Sequence, residues 1–129
     1  MSEPVWIDKT ALLLAYAHAL RRTGGLEGLR DEGLLESALA RPRNRHLYEA
    51  VTDVRQLAVS YAVGILRNHP FADGNKRAAF IALGMFLNAN GFSFIADPLD
   101  AGNTFFDAAA GQLDEEALLA WISRNSVAS

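Results

Sequence analysis

Nine consecutive residues, H-P-F-A-D-G-N-K-R from His69 to Arg77, form the densest group of side chains that could do chemistry. They bring an imidazole, a carboxylate, an amide and two cations to the predicted start of a helix. The first turn of a helix has unpaired backbone N–H groups and the positive end of the helix dipole, and both attract a phosphate. Lys76 and Arg77 are unfavourable at this end of a helix, by about 0.3 to 1 kcal/mol each, and an anionic partner would remove that cost. The run therefore predicts a site that handles the phosphates of a nucleotide.

Each polar residue of the run suits a part of that chemistry. His69 could accept a proton from an attacking hydroxyl, because imidazole changes its protonation state near neutral pH. Asp73 is an oxygen ligand of the kind that Mg²⁺ prefers, and Mg²⁺ usually takes one or two carboxylates while phosphates and waters complete its shell. A glycine before the helix lets the ligand approach the backbone closely. The residues predicted to bind the phosphates are Gly74, Asn75, Lys76 and Arg77.

The same run also fits an ordinary polar connection between two helices. His69 could simply cap the end of the preceding helix, and Phe71 fits a core position better than a surface on which a base stacks. A Gly-Asn-Lys-Arg turn is also less specific than a complete P-loop. Spacing alone leaves both interpretations open.

Length and composition predict one compact domain over residues 1–129. A chain of this size can bury roughly two-thirds of its unfolded surface without disulfides or structural metals. The chain has no cysteine, which excludes disulfide frameworks, thiolate zinc sites and cysteine nucleophiles. Its apolar stretches are interrupted well before the ~20 residues of a membrane span, and its first residues lack a signal pattern. We therefore expect a cytoplasmic protein with no membrane partner.

The charge of the chain is distributed unevenly. The net charge of −3 gives no general reason to expect direct nucleic-acid binding. Residues 21–77 contain ten Lys or Arg and seven Asp or Glu, a local charge of +3, whereas one arginine and six acids follow, a local charge of −5. A positive middle and an acidic tail suggest an anion site in the middle.

Capping residues and the 3.6-residue apolar period predict an all-α, compact bundle of about six helices. Aspartates begin most of these helices, and Gly24-Gly25 and Asn90-Gly91 end two of them. Pro42 is expected to end the second helix, which makes Arg41 to Glu49 a polar loop. Phe92 to Ala96 is the only run with weak strand character. The expected helix starts are Asp8, Asp31, Thr52 or Asp53, the Gly74 turn, Asp97-Pro98 and Asp114, and the aromatic residues expected in the core are Trp6, Phe105, Phe106 and Trp121.

The run from His69 to Arg77 resembles the signature of the Fic/Doc superfamily. Lys76 lies where the nucleotidyl-transferring Fic branch has glycine, so the run looks like the death-on-curing (Doc) branch. Three further segments are similar to Doc toxins: W-I-D-K-T-A-L-L-L near the amino end, G-L-R-D-E-G-L-L-E-S-A-L-A-R-P from Gly28, and R-N-H-P-F from Arg67. The resemblance covers nearly the whole chain and implies the all-α Fic/Doc fold.

This resemblance implies a function and a role for each residue of the run. His69 would be the base that activates a target hydroxyl, Asp73 would hold Mg²⁺, and Asn75, Lys76 and Arg77 would bind the phosphates. Doc proteins are understood as kinases that bind ATP in a reversed sense and phosphorylate a threonine of elongation factor Tu, which stops translation. As the toxin of a type II toxin–antitoxin pair, such a protein has a Phd-type antitoxin partner whose carboxy-terminal segment folds into a groove on the toxin.

Three alternatives remain at this point. Fic proteins that transfer AMP to a protein hydroxyl usually carry a second arginine three positions after the first, and Phe80 occupies that place here. This departure weakens the AMP-transfer alternative. A non-catalytic member could instead act as a corepressor through its antitoxin, and a plain helical interaction domain would need no site at all.

Overall fold

The computed structural model describes residues 3–129 and has two kinds of element within that range: six α-helices and two short strands. The helices are α1 (Lys9–Thr23), α2 (Glu32–Glu49), α3 (Val54–Asn68), α4 (Asn75–Ala89), α5 (Pro98–Ala109) and α6 (Glu115–Arg124), and the strands are β1 (Phe92–Phe94) and β2 (Ser126–Ala128). The predicted all-α bundle of about six helices is confirmed. No helix in the described part of the chain is both long and apolar enough to cross a membrane.

Five of the six helices begin with an aspartate whose carboxylate accepts a backbone N–H from the first turn. The capping residues are Asp8, Asp31, Asp53, Asp97 and Asp114. Each such cap satisfies one of the orphan N–H groups and places a negative charge at the positive end of the dipole. Helix α4 differs, because it follows Gly74 and no side chain among residues 3–129 caps its start. The N–H groups of its first turn therefore have no capping side chain.

Helices α3 and α4 form the centre of the molecule. Every residue of α3 from Leu57 to Leu66 is buried, and α3 packs against both α2 and α4. Helix α4 also contacts α1, α5 and β1. The connection from α3 to α4 is the site run, so its two ends are attached to the most deeply buried part of the fold.

The predicted loop from Arg41 to Glu49 is wrong, because α2 continues through Pro42 to Glu49. A proline inside a helix removes one backbone hydrogen bond, the one to the carbonyl four residues earlier, which here belongs to Ala38. That loss is offset because the second half of α2 is attached to its neighbours. Arg45 donates to the buried Ser60 hydroxyl of α3 at 2.7 Å.

The last helix of the acidic tail, α6, supplies another attachment for α2. Glu115, at the start of α6, accepts hydrogen bonds from Arg41 at 3.2 Å and from Arg45 at 3.5 Å. Arg67 at the end of α3 approaches the same carboxylate at 3.6 Å. One carboxylate thus joins three helices, which a local reading of a polar, aperiodic segment could not show.

The expected weak strand is present as β1, and it pairs antiparallel with β2 at the end of the chain. The register places Phe92 opposite Ala128 and Phe94 opposite Ser126. Strand β2 was not predicted, because three residues are too few for a periodic signal and their pairing partner lies more than 30 residues earlier.

The aromatic residues expected in the core are buried with one exception. Phe105 and Trp121 are buried, and Trp6 is partly buried beside Phe86 with ring centroids 5.8 Å apart. The prediction for Phe106 is wrong, since its side chain is 63% exposed. Successive residues of a helix point about 100° apart, so Phe105 and Phe106 cannot both face the same core.

Candidate active site

His69 lies at the C-cap of α3 in the left-handed conformation, with φ 49° and ψ 56°. Its backbone N–H donates to the carbonyl of Ile65 at 3.0 Å, and its side chain is exposed. A non-glycine residue in this conformation costs roughly 1 to 2 kcal/mol. The capping interpretation is confirmed, and because the cap uses only the backbone, the imidazole remains available for chemistry.

Phe71 attaches the site run to the core. Its side chain is 1% exposed, and its ring stacks on that of Tyr16 with centroids 4.0 Å apart. Its expected role in the core is confirmed. The buried Phe71 side chain therefore fixes the backbone between the exposed residues His69 and Asp73 against α1.

The side chain of Asn75 is almost buried, with 9% exposure, and makes its contacts inside the run. Its Oδ1 accepts the N–H of Phe71 at 3.0 Å, and its Nδ2 donates to the carbonyl of Phe71 at 3.1 Å. These two bonds set the orientation of the amide, so Nδ2 faces Nδ1 of His69 at 3.3 Å. Asn75 thus orients the imidazole, and the part of Asn75 that is open to a phosphate is its backbone N–H.

The connection between α1 and α2 lies along the site run as a short extended segment. Gly28 accepts the N–H of Ala72 at 2.9 Å, and the N–H of Arg30 donates to the carbonyl of Pro70 at 2.7 Å. The Arg30 guanidinium donates to the carbonyl oxygens of His69 at 2.8 Å and Asn68 at 3.0 Å. A cation on these carbonyls is favourable at the C-terminal end of α3. Sequence reasoning missed Arg30, and no local pattern distinguishes it from other surface arginines.

Asp73 is exposed and keeps acceptor capacity on both carboxylate oxygens. Oδ1 accepts the N–H of Gly74 at 2.8 Å, and Oδ2 accepts the N–H of Leu26 at 3.3 Å. Each oxygen has further lone-pair sites for a cation. A Cβ atom on Gly25 would lie 2.9 Å from Oδ2, so the glycine at that position makes room for the carboxylate.

Tyr16 is a second residue of the site that the sequence did not reveal as such. Its hydroxyl donates to the backbone carbonyl of Asp73 at 2.7 Å. Burial raises the pKa of this hydroxyl, so it remains a protonated donor at neutral pH. A tyrosine on the apolar face of a helix has a hydroxyl that needs a partner, and this was the available signal.

The single carboxylate of Asp73 suits a metal ion whose other ligands are phosphate oxygens and water molecules. Within residues 3–129 no group of three or more His, Asp or Glu side chains forms a metal cage. If a metal ion binds at this turn, Asp73 would supply one carboxylate to it. This donor set fits Mg²⁺ bound to nucleotide phosphates.

The start of α4 presents backbone donors beside two cations. The N–H of Ala78 makes the first intrahelical bond, to Gly74 at 2.9 Å, so the three preceding N–H groups have no helical partner. Lys76 and Arg77 are exposed and form no ion pair with any described residue. Gly74 has φ 75°, and a Cβ atom there would lie 2.8 Å from Leu20 Cδ1, so the turn requires glycine.

Phe80, one helical turn after Arg77, belongs to an aromatic cluster and not to the phosphate site. Its ring centroid lies 5.6 Å from that of Phe94 and 5.5 Å from that of Phe105. The place where AMP-transferring relatives are expected to have a second arginine is thus occupied by a packing residue.

Residues 6–87, from just before α1 to near the end of α4, match a family model described as the Fic/DOC family. Over 107 residues the chain is 32% identical to the protein kinase doc of Escherichia phage P1, covering 83% of this chain and 84% of that protein. Over 93 residues it is 36% identical to the toxin Doc of Mycolicibacterium smegmatis, covering 71% of this chain and 69% of that toxin. The match to the family model includes the whole run from His69 to Arg77.

Proposed function

The chain belongs to the Fic/Doc family, and from that premise we propose that it is a Doc-type toxin of a type II toxin–antitoxin pair. In this proposal it transfers the γ-phosphate of ATP to a threonine of elongation factor Tu in the cytoplasm and so blocks translation. The observation that carries the proposal is the uncapped start of α4, where Lys76 and Arg77 are exposed beside His69.

The phosphates of ATP bind at the start of α4. The backbone N–H groups of Asn75, Lys76 and Arg77 donate to phosphate oxygens, and the two cationic side chains neutralise their charge. Gly74 allows this approach because it has no Cβ atom. Asp73 would hold Mg²⁺, which when bound neutralises charge on the phosphates.

His69 accepts the proton of the target hydroxyl. The hydroxyl oxygen forms a bond to the γ-phosphorus, the bond from that phosphorus to the β–γ bridging oxygen breaks, and ADP leaves. The 3.3 Å contact with Asn75 favours the neutral tautomer in which Nδ1 accepts and Nε2 carries the hydrogen. Proton transfer to Nε2 would require the other neutral tautomer and therefore the loss of this contact.

Two residues favour phosphate transfer over AMP transfer. Lys76 adds a cation directly at the helix start, where the AMP-transferring branch has glycine. Phe80 contacts other aromatic rings and supplies no second arginine. The name of the phage relative, protein kinase doc, agrees with this choice.

The proposed partner is a Phd-type antitoxin whose carboxy-terminal segment covers an apolar groove of the toxin. Leu99 and Phe106 support such a partner, because they lie on one face of α5 and are 74% and 63% exposed. Exposed apolar side chains on one face are typical of surfaces that a partner protein covers.

Transfer of label from ATP tests the proposal directly. The purified protein is incubated with elongation factor Tu, Mg²⁺ and ATP labelled at the γ-phosphate in one reaction and at the α-phosphate in another. We expect label on elongation factor Tu only from the γ position. Label from the α position alone would establish AMP transfer instead.

His69→Asn is the matched control for catalysis. Asparagine tolerates the left-handed conformation of position 69 better than alanine, so the fold is retained while the base is lost. We expect transfer to fall by about 10² to 10⁴. If this variant kept full transfer, His69 would not be the base, and if it kept growth inhibition without any transfer, the non-catalytic corepressor would be favoured.

A further inference from the structure

A cleft of about 700 Å³ opens beside His69, and no residue of α4 lines it. Its walls are the end of α3, the end of α5 with the turn that follows it, and the start of α6. None of these walls belongs to the phosphate-binding turn. His69 is thus shared between two separate surfaces.

The floor of the cleft is apolar. Val63, Leu66 and Leu118 line it and are 8%, 7% and 1% exposed. The far wall contains Ala108 and Gly111, whose small size leaves the space between the walls open. A floor of this kind accepts an apolar side chain from a ligand.

The rim of the cleft is acidic. Asp114 caps α6 and Glu115 is paired with three arginines, whereas Glu116 makes no side-chain hydrogen bond or ion pair with any residue from 3 to 129. Arg67 is the only cation on this rim, and it is one of the three that Glu115 neutralises. The charge that remains on the rim is negative and repels phosphates, whereas Lys76 and Arg77, which attract them, do not line the cleft.

We infer that this cleft binds the segment of the target protein that carries the accepting hydroxyl. This inference rests on the proposed transfer to a protein hydroxyl. A hydroxyl must come within hydrogen-bond distance of His69 to lose its proton, and the cleft opens at that side chain. The segment that fits places an apolar side chain on the floor and a lysine or arginine beside Glu116, so its sequence is basic and apolar around the hydroxyl residue.

Peptide binding tests the cleft independently of phosphate transfer. Two labelled 12-residue peptides share a central threonine and a nearby leucine, and they differ only in carrying two arginines or two glutamates. Fluorescence anisotropy with Mg²⁺ and a non-hydrolysable ATP analogue measures their affinities. We expect the basic peptide to bind at least about tenfold more tightly and to shift the backbone NMR signals of Gly111 and Leu113.

Variants of Glu116 test whether the preference for the basic peptide arises at the rim of the cleft. Glu116→Lys should weaken the basic peptide by about fivefold, as expected for an exposed charge pair, and Glu116→Gln by less. Glu36→Lys makes the same charge change on α2, outside the cleft, and should leave the affinity unchanged. In the transfer reaction Glu116→Lys should raise the KM for elongation factor Tu while the KM for ATP stays the same.

Two results would overturn the inference. One is equal binding of both peptides, or binding that leaves Gly111 and Leu113 unaffected. The other is a shift of these signals on adding the nucleotide analogue alone, which would assign the cleft to the nucleotide base. Failure of γ-phosphate transfer would contradict the proposed kinase reaction without changing the peptide result, so the two failures can be told apart.

Discussion

At the scale of single residues, Lys76 has opposite effects on folding and on the proposed function. It lies in the first turn of α4, where a positive charge opposes the helix dipole, and no described acid neutralises it. The other five helices begin with a capping aspartate. A lysine at the one uncapped start among the described helices does not favour stability, and the proposed phosphate ligand would account for it.

Lys76→Glu should therefore stabilise the free protein while it weakens ATP binding. Removing the unfavourable charge and adding a favourable one should raise the free energy of unfolding by about 1 kcal/mol. ATP affinity should fall by roughly tenfold or more, because a charge-assisted contact becomes a repulsion.

Thermal unfolding without nucleotide and calorimetric titration with Mg²⁺–ATP measure the two effects of Lys76→Glu. Lys76→Gln separates loss of the cation from introduction of the acid. Unchanged ATP affinity in both variants would contradict the role proposed for Lys76.

At the scale of elements, the crossing of α2 and α3 depends on a glycine. A Cβ atom on Gly64 would lie 3.2 Å from both the Cα and the carbonyl oxygen of Ala38. That carbonyl is the one left without its helical partner by Pro42. The proline that was expected to end α2 is thus buried within a helix held closely against α3.

Gly64→Ala should destabilise the protein although alanine favours helix. The propensity gain is about 1 kcal/mol, and overpacking against backbone atoms that cannot move away costs about 1 to 3 kcal/mol. Gly102→Ala is the control, because it lies inside α5 with nothing within 4 Å of the added Cβ and should gain up to about 1 kcal/mol. Urea unfolding of both variants measures the change in the free energy of unfolding. A higher free energy of unfolding for Gly64→Ala would contradict the close packing of α2 against α3.

At the scale of the whole molecule, the uneven charge of the chain is resolved by folding. The acidic tail supplies Glu115, which pairs with Arg41, Arg45 and Arg67 from the positive middle. Lys76 and Arg77 are left out of this pairing within the described residues. Arg22, Arg30, Arg43 and Arg55 also form no ion pair with a described residue, so folding neutralises only part of the positive middle.

The stability of the whole domain should fall in alkaline solution. Burial raises the pKa of the Tyr61 hydroxyl, which accepts the N–H of Ile7 at 3.2 Å, above its ordinary value of 10.0. Above pH 10.0 the unfolded chain loses this proton while the folded protein keeps it. The free energy of unfolding therefore has its full value below pH 10.0 and falls as the pH rises toward the folded-state pKa.

Tyr61→Phe should reduce this alkaline loss, at a cost of about 1 kcal/mol at neutral pH for the missing hydrogen bond. Urea unfolding between pH 8 and 11 gives the slope of the free energy of unfolding against pH for each protein. Tyr48→Phe is the control, because that side chain is 78% exposed. Equal slopes in the wild type and Tyr61→Phe would contradict the assignment.

The sequence by itself determined the helix starts and the all-α class, and it singled out the run from His69 to Arg77 as the candidate site. A capping aspartate and the N–H it accepts are two or three residues apart, so the pattern is visible locally. The run from His69 to Arg77 was likewise readable because its residues are consecutive.

Only the tertiary structure decided how that run is held and what faces it. Tyr16 meets Asp73 across 57 residues, and Arg30 meets His69 across 39. The continuation of α2 past Pro42 and the acidic cleft beside His69 likewise depend on α6, which lies far away in sequence. Contacts of this range leave no periodic or local pattern, because each partner is suited to many surroundings until the chain has folded.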